Sequence, residues 1–152
     1  MSQLPDIVEL VPHRGPMLLL NRVIWAQEKS ICCEVDISPQ STFFLPDLAA
    51  VPCHIGIEYM AQCIAALAGV EYWRAKKPIP IGLLLGGRRY QSNGQSFSAG
   101  TKLNIFAEEL IRDGAMGVYQ CRIELNGQQL ASCQINTYVP TNEQLLELTT
   151  KK

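Results

Sequence analysis

The feature that most constrains the fold is an apolar segment, residues 51–68, that carries three polar side chains at four-residue intervals. These are His54, Glu58 and Gln62, and they share one face of a helix because an α-helix turns once every 3.6 residues. Apolar residues cover nearly every other direction, as in a helix that the rest of a protein encloses. We therefore expect a long central helix over residues 52–74.

A carboxylate on an enclosed helix needs a physical reason. Burying an unpaired charge costs several kcal/mol, so Glu58 should be paired, protonated, or turned toward a cavity in which it does chemistry. In the first interpretation Glu58 is functional, because acidic groups with perturbed pKa values concentrate at functional sites. In the other, Gln62 and a neighbouring amide satisfy Glu58, and the polar stripe only orients the helix.

Length and charge exclude several classes of protein. At 152 residues and 47% hydrophobic composition, the chain is one domain with enough apolar material for a core. A net charge of −1 argues against a nucleic-acid partner. The first residues lack the basic and apolar regions of a signal peptide, and we expect no run long enough to span a bilayer. No membrane insertion and a cytoplasmic location are therefore expected.

The cysteines and histidines do not indicate a metal centre. No CxxC pair occurs, so the cysteines are expected to be buried thiols in a reducing compartment without disulfides. With two histidines in the chain, the spacing of His54 and Glu58 is a weak metal signal, and no metal or cofactor is expected. The six cysteines are Cys32, Cys33, Cys53, Cys63, Cys121 and Cys133.

The rest of the chain reads mainly as strands. Asp113-Gly114 and Asn126-Gly127 lie between apolar or alternating runs and predict the two hairpin turns of a three-stranded meander. Residues 93–96 should form a loop, and a short helical turn is expected within 4–10. The predicted strands are 17–26, 31–37, 79–87, 103–112, 117–125 and 129–139.

Several motifs in this order carry a resemblance that spans nearly the whole chain. Residues 11–23 (VPHRGPMLLLNRV) and 52–62 resemble the opening motif and active-site helix of bacterial 3-hydroxyacyl-acyl-carrier-protein dehydratases. The segments 56–62 (GIEYMAQ), 82–86 (GLLLG) and 135–141 (INTYVPT) look most like the dehydratases of aryl-polyene synthesis. The resemblance implies an α+β hot-dog fold, in which an antiparallel sheet wraps a long central helix. Residues 1–152 would form one such domain, with 141–152 as its tail.

The departures from that family matter as much as the matches. The resembled enzymes carry a proton-transferring histidine in a loop before the helix, whereas residues 43–48 contain none and place Asp47 closest to its position. Glu58 matches the acidic helix residue, and Gln62 matches its amide partner. His54 falls where the aryl-polyene group has an aromatic residue, and His13 belongs to a Pro-His-Arg motif that lines the acyl tunnel in the relatives. Either histidine can be catalytic or an ordinary wall or loop residue, with His54 slightly favoured because it shares a helix face with Glu58.

The chemistry of dehydration explains why an acidic residue, a histidine and backbone donors would lie close together. Dehydration of a 3-hydroxyacyl thioester needs a base for the C2 proton, donors for the enolate-like oxygen, and an acid for the departing hydroxyl. Free backbone amides near Cys53 and His54, at the helix N-terminus, would supply the donors, as the matching positions do in the resembled family. Glu58 or a histidine would exchange the protons.

A carrier-borne substrate is suggested by two further features. The densest basic positions are Lys76, Lys77, Arg88 and Arg89, and Arg88 and Arg89 are the candidate contacts for an acidic acyl carrier protein. Residues 79–87, with Leu84, Leu85 and Gly86 in the tunnel, would line a channel for the acyl chain. The alternatives are a solvated basic surface and an ordinary buried strand.

Three functions remain open on the sequence. The leading one is a 3-hydroxyacyl-acyl-carrier-protein dehydratase acting in fatty-acid-like or aryl-polyene synthesis on phosphopantetheine-linked chains. The second is a hot-dog thioesterase, and the third is a non-catalytic acyl-binding subunit that pairs with an active dehydratase. In each case we expect a homodimer, or a heterodimer with another hot-dog subunit, because an isolated curled sheet exposes its edge.

Overall fold

A curled antiparallel sheet wraps one long helix in the computed structural model, which describes residues 4–79 and 84–138. The sheet has six strands in the order β1-β2-β6-β7-β8-β4, and β3 pairs with β5 in a separate two-stranded ribbon. The strands are β1 (Arg22–Ala26), β2 (Ser30–Asp36), β3 (Ala50–Val51), β4 (Leu84–Ser92), β5 (Phe97–Ser98), β6 (Lys102–Asp113), β7 (Met116–Leu125) and β8 (Gln128–Tyr138). The helix α1 is Gly56–Arg74, and short 3-10 turns cover Ile7–Glu9, Gly15–Met17 and Cys53–Ile55.

The predicted meander is confirmed as β6, β7 and β8, joined by the predicted turn at Asn126-Gly127 and by a turn at Gly114-Ala115, one residue beyond the predicted Asp113-Gly114. Asn126 and Gly127 both have positive φ, 52° and 83°, as a tight type I′ hairpin turn requires. Gly114 likewise has φ 60° in the first turn. Residues 93–96 connect two strands as a loop, as expected.

The core lies between α1 and the concave face of the sheet. Alternate residues of the meander point inward because successive side chains of a strand face opposite sides. Those buried inner residues are Leu103, Ile105, Ala107, Tyr119, Cys121, Ile123, Ala131, Cys133 and Ile135. They pack on helix residues that include Met60, Cys63 and Ile64. On another side of α1, Gly69 has no room for a side chain, because a Cβ there would collide with the Leu10 carbonyl.

Two strand predictions need correction. The first strand begins at Arg22 and not at residue 17, because Pro16 helps fold Gly15–Met17 into a 3-10 turn. The strand predicted over 79–87 lies at 84–92, where a bulge centred on Arg89, with φ 57°, lets it continue to Ser92. Residues 80–83, and the turn and strand end predicted beyond Tyr138, lie outside the described residues.

The ribbon of β3 and β5 is also absent from the sequence prediction, because each of its strands has two residues. Its position matters: Val51 of β3 pairs with Phe97, and the chain then enters Pro52 and the start of the helix.

The helix also corrects the expectation about bilayer-spanning runs. The stretch Cys53–Arg74 is long and apolar enough to cross a membrane by length and composition. Most of it is buried inside the sheet, which is the ordinary position of a core helix. All six cysteines are free thiols, and five are buried, whereas Cys53 is half-buried at the helix start.

Candidate active site

The candidate active site includes the start of the central helix, which a contact from a neighbouring strand holds in place. Its first backbone bond runs from the Ile55 N–H to the Pro52 carbonyl oxygen at 3.1 Å, so the N–H groups of Cys53 and His54 precede the helical bonds. The Tyr90 hydroxyl donates to the Cys53 carbonyl oxygen at 2.5 Å. Two backbone donors without a partner in the part of the chain that the structure describes therefore come from a turn that a neighbouring strand holds in place.

Close packing explains Gly56 at this point. A Cβ at residue 56 would collide with the Tyr90 hydroxyl and lie 2.8 Å from the Ile123 side chain. The absence of a side chain thus lets the helix start approach β4 and β7. Tyr90 is a site residue that the sequence analysis missed, because a tyrosine in a strand is indistinguishable from a packing residue until its hydroxyl has a partner.

Glu58 is exposed, which corrects the expectation that the helix is enclosed on all sides. The sheet covers the face that carries Met60 and Cys63, while the turn that carries Glu58 opens outward from the single chain. Within the described parts of the chain, the Glu58 carboxylate makes no hydrogen bond or ion pair. It is therefore available to a substrate or to a second subunit.

Gln62 is buried and is satisfied by the backbone, not by Glu58. It is 3% exposed, its Oε1 accepts from the Leu19 N–H at 2.9 Å, and its Nε2 donates to the Met17 carbonyl oxygen at 2.6 Å. Both ends of the amide thus hold the N-terminal segment against the helix one turn after Glu58. The interpretation in which Gln62 pairs with Glu58 is wrong.

That held segment brings His13 into the electrostatic range of Glu58. Burial lowers the pKa of His13 below its usual value, while the Glu58 carboxylate opposes the shift and Arg14 reinforces it. The Nδ1 atom of His13 is buried and has no hydrogen-bond partner among residues 4–79 and 84–138. A half-buried, neutral imidazole with a free ring nitrogen is suited to proton transfer.

The other candidate proton-transfer groups are not held in this way. His54 and Asp47 are both exposed, and neither makes a hydrogen bond or ion pair with the described residues. Asp47 lies in a loop whose large apolar residues Phe43, Leu45 and Leu48 are also 44–49% exposed. His54 and Asp47 therefore remain predictions, and the geometry favours His13 as the group that acts with Glu58.

The candidate tunnel and carrier contacts lie on the edge strand β4. Gly86 is exposed opposite Asn136 of β8, and the side chains of Leu84, Leu85 and Arg88 fall outside what the structure describes. The Arg89 side chain is exposed and makes no ion pair with described residues. It borders a cavity of about 340 Å³ whose polar lining is Gln91, Gln120, Ser132 and Gln134.

The described residues hold no cluster of three or more histidine, cysteine, aspartate or glutamate side chains that could bind a metal ion. The candidate groups are instead a carboxylate, an imidazole and two backbone donors. That set can move protons next to a stabilised oxyanion.

Comparison with known proteins decides the family. A family model described as "ApeP-like: ApeP dehydratase" matches residues 5–148. The chain belongs to the ApeP-like dehydratase family. A solved structure with which this ApeP-like chain superposes is "The Dehydratase Heterocomplex ApeI:P from Xenorhabdus doucetiae", with a TM-score of 0.89 and 28% identity. The superposition covers 98% of this chain and 100% of that one, and it confirms the predicted hot-dog fold.

Curated relatives of the ApeP-like chain are 3-hydroxyacyl-[acyl-carrier-protein] dehydratases named FabZ. The enzyme of Staphylococcus carnosus is 30% identical over 135 residues, which is 86% of this chain and 90% of the relative. The enzyme of Acinetobacter baylyi is 27% identical over 132 residues, which is 85% of this chain and 88% of the relative. The predicted resemblance to 3-hydroxyacyl dehydratases is confirmed.

Proposed function

We propose that this ApeP-like chain removes water from 3-hydroxyacyl thioesters carried by acyl carrier protein. The observation that carries the proposal is the Glu58 carboxylate, unpaired by described residues, which lies in electrostatic range of the neutral His13 imidazole and about one turn along the helix from the Cys53 and His54 N–H groups. Its FabZ relatives, whose names specify 3-hydroxyacyl chains on acyl carrier protein, supply the substrate class.

Each group has a separate role in the reaction. The Cys53 and His54 N–H groups donate to the thioester oxygen, which acidifies C2. His13, kept neutral by its lowered pKa, accepts the C2 proton, and the C2–H electron pair forms the double bond as the C3–O bond breaks. The proton passes from His13 to the Glu58 carboxylate and from Glu58 to the departing hydroxyl, which leaves as water with the C3–O electron pair, so both side chains return to their starting forms.

The chain performs this reaction as half of a dimer of hot-dog subunits. Strand β4 ends the sheet order and is unpaired on its outer edge by any of residues 4–79 and 84–138, and such edges are normally paired or covered. The apolar side chains of Phe43, Leu45 and Leu48 also lie exposed. Because the ApeI:P relative is a heterocomplex and residues 43–48 hold no histidine, a different hot-dog chain is the favoured partner.

The remaining assignments follow from the same substrate. Arg89, exposed and unpaired by described residues, meets the acidic surface of the carrier, and Arg88 precedes it on the same strand. Leu84, Leu85 and Gly86 border the acyl chain. The reaction takes place in the cytoplasm, in a pathway that extends fatty-acid-like or aryl-polyene chains.

The test is mass spectrometry of a 3-hydroxyacyl carrier protein incubated with the purified chain, alone and with its hot-dog partner. Loss of one water is expected, and Glu58→Gln should reduce its rate by about a hundredfold or more, because a positioned acid or base contributes on that scale. Glu28→Gln, an exposed glutamate remote in sequence from the site, is the matched control and should keep full rate.

The alternatives give different readouts in the same assay. Release of free carrier thiol without water loss would assign a thioesterase. Unchanged turnover by a folded Glu58→Gln protein within the complex would make this chain the non-catalytic subunit and would overturn the proposal.

A further inference from the structure

Tyr90 reaches the helix start from an irregular point in the edge strand β4. Between Arg88 and Gln91 the register of β4 against β8 shifts, so that Arg89 and Tyr90 together face the single residue Cys133. Arg89 has a φ of 57°, in the left-handed region that few residues with a side chain adopt. A bulge of this kind re-aims the neighbouring side chain. Here it leaves Arg89 exposed and turns Tyr90 inward, toward the helix start.

The Tyr90 hydroxyl has a fixed place at the helix start. It donates to the Cys53 carbonyl oxygen at 2.5 Å, and the same oxygen accepts the Gly56 N–H. A Cβ on residue 56 would collide with the hydroxyl, so the glycine keeps this place open. Burial raises the pKa of Tyr90 to about 12. The hydroxyl therefore keeps its proton at neutral pH and remains a donor.

The carbonyl that accepts this bond belongs to the same peptide group as one of the proposed oxyanion donors. The peptide bond joins the Cys53 carbonyl to the His54 N–H, and its atoms lie in one plane with the oxygen and the hydrogen on opposite sides. The two donors that hold the oxygen therefore also set the direction of the His54 N–H. A donor on the carbonyl also polarises the amide and strengthens its N–H as a donor, because linked hydrogen bonds reinforce one another.

The other proposed donor, the Cys53 N–H, belongs to a different peptide group. Its carbonyl oxygen is that of Pro52, which accepts the backbone N–H of Ile55 at 3.1 Å. Tyr90 therefore acts on the His54 donor and not on the Cys53 donor.

We infer that Tyr90 is a positioning residue for dehydration, which aims and strengthens the His54 N–H through the Cys53 carbonyl oxygen. It acts through the peptide group and not on the substrate itself. The inference rests on the proposed function, because it takes the His54 N–H to bond the thioester oxygen. Negative charge grows on that oxygen as the C2 proton leaves, so a stronger donor lowers the barrier more than it tightens substrate binding.

The experiment compares Tyr90→Phe with the unchanged protein, each in complex with the hot-dog partner. The variant keeps the ring and removes only the hydroxyl. The kcat for water loss from a 3-hydroxyacyl carrier protein should fall about threefold to tenfold, the scale of one hydrogen bond, while KM stays unchanged. The fall should be smaller than the hundredfold or so that follows the loss of a whole oxyanion donor, because the His54 N–H is weakened and not removed.

Two further variants separate the hydroxyl's donation from its contribution to packing. Tyr119→Phe is the matched control, because it removes the hydroxyl of another buried tyrosine, which lies near Glu109 and away from the helix start. It should keep the kcat of the unchanged protein. Tyr90→3-fluorotyrosine carries a more acidic phenol, which is a stronger donor, and its kcat should equal or exceed that of the unchanged protein. Thermal melts verify that all three variants are folded.

A second readout does not depend on activity. The ¹⁵N resonance of the His54 backbone amide reports the polarisation of the Cys53–His54 peptide, since a hydrogen bond to the carbonyl withdraws electrons from the nitrogen. Tyr90→Phe should move this resonance upfield in the purified chain, whereas Tyr119→Phe should leave it in place.

The inference is overturned if Tyr90→Phe keeps both the kcat and the His54 resonance of the unchanged protein. A 3-fluorotyrosine variant as slow as Tyr90→Phe would also overturn it, because the hydroxyl would then matter only for packing. Failure of the proposed function looks different. The His54 resonance would still move in Tyr90→Phe, but the unchanged protein would release no water, and the role of Tyr90 in dehydration would fall with the proposed reaction.

Discussion

Residues 13–19 and 43–49 are two irregular segments that are held in opposite ways. The first is anchored to the rest of the chain. The Arg14 guanidinium donates to the carbonyl oxygens of Val11 and His13, at 2.7 and 2.8 Å, and Gln62 bonds the backbone of Met17 and Leu19. These bonds fix the position of the His13 backbone relative to the helix that carries Glu58.

The second segment is held mainly by its own short turns. Its backbone bonds link residues no more than five positions apart, such as Leu45 N–H to the Ala50 carbonyl at 2.9 Å, apart from one from Ala99 to Ala49. Phe43 and Ala49 adopt positive φ, 72° and 53°, which is uncommon for residues with a side chain. Its leucines point outward.

The difference indicates which part of the active site this chain supplies and which part a partner completes. A segment that is anchored to the rest of its own chain is complete in that chain, so we expect this chain to supply the catalytic group of residues 13–19. A segment with strained backbone and exposed apolar side chains is completed by something that packs on it. We therefore expect residues 13–19 to control the dehydration rate and residues 43–49 to control dimerisation.

The largest effect should follow from removing the imidazole of the anchored segment. His13→Asn should lower the dehydration rate by about a hundredfold, whereas His54→Phe should keep most of it. Because the pKa of His13 is lowered, the group is neutral at pH 7, and the rate should fall only as the pH drops below its ordinary value of 6.5. Rate measurements from pH 5 to 8 test this, and that limb should disappear in His13→Asn.

The opposite result would reverse the assignment. His54→Phe could instead lose the activity and the fall in rate at low pH, while His13→Asn kept both. The catalytic histidine would then be on the helix, and residues 13–19 would only line the site.

The next effect concerns the anchor itself. Gln62→Leu leaves the Met17 carbonyl and the Leu19 N–H without partners in a part-buried position, which should lower the free energy of unfolding by about 2–4 kcal/mol. Dehydration by the folded fraction should also fall, since His13 loses its position. Urea denaturation measures the first effect, with the exposed Gln129→Leu as a control expected to change stability by less than about 0.5 kcal/mol. A Gln62→Leu protein as stable as this control would refute the role of the anchor.

Substitutions in residues 43–49 should change the stability of the monomer little but should clearly weaken dimerisation. Lysine at both Leu45 and Leu48 should weaken dimerisation about tenfold or more, because charges would replace apolar contacts in the interface. The monomer should lose little stability, since both side chains are about half exposed. Analytical ultracentrifugation measures the association, and Ile111→Lys, at an exposed site on β6, is the matched control. Equal association of the double variant and the control would mean that the partner packs elsewhere.

The smallest effect should come from the ion pairs at the end of β2. Asp36→Asn should cost less than about 1 kcal/mol, since Arg22 and Lys102 remain largely in solvent. Arg22 and Lys102 lower the Asp36 pKa to about 2 from 3.8, so this stability is present above pH 3.8 and is lost as the pH falls toward 2. Denaturation at several acidic pH values should show the variant and the unchanged protein converging, and a constant difference would contradict the ion-pair origin.

Local patterns in the sequence predicted most of the fold. The apolar run around Glu58 predicted the helix, and Asn126-Gly127 predicted a turn that needs positive φ at both positions. These are local features, because side-chain periodicity and turn chemistry depend on neighbours in the chain. The family resemblance places the motif at residues 11–23 in the site, although the apolar run from residue 17 predicts a strand where the structure has a 3-10 turn.

The tertiary structure alone decided which groups meet. Periodicity places Glu58 and Gln62 on one face, yet Gln62 turns to the backbone of Met17 and Leu19 while Glu58 stays open. The sequence separation of 45 residues between Glu58 and His13 gives no sign that the two groups interact. Burial, electrostatic range and hydrogen-bond choice are properties of the packed chain. The sequence therefore determined the central helix and the family. Packing determined which side chains are available at the candidate active site.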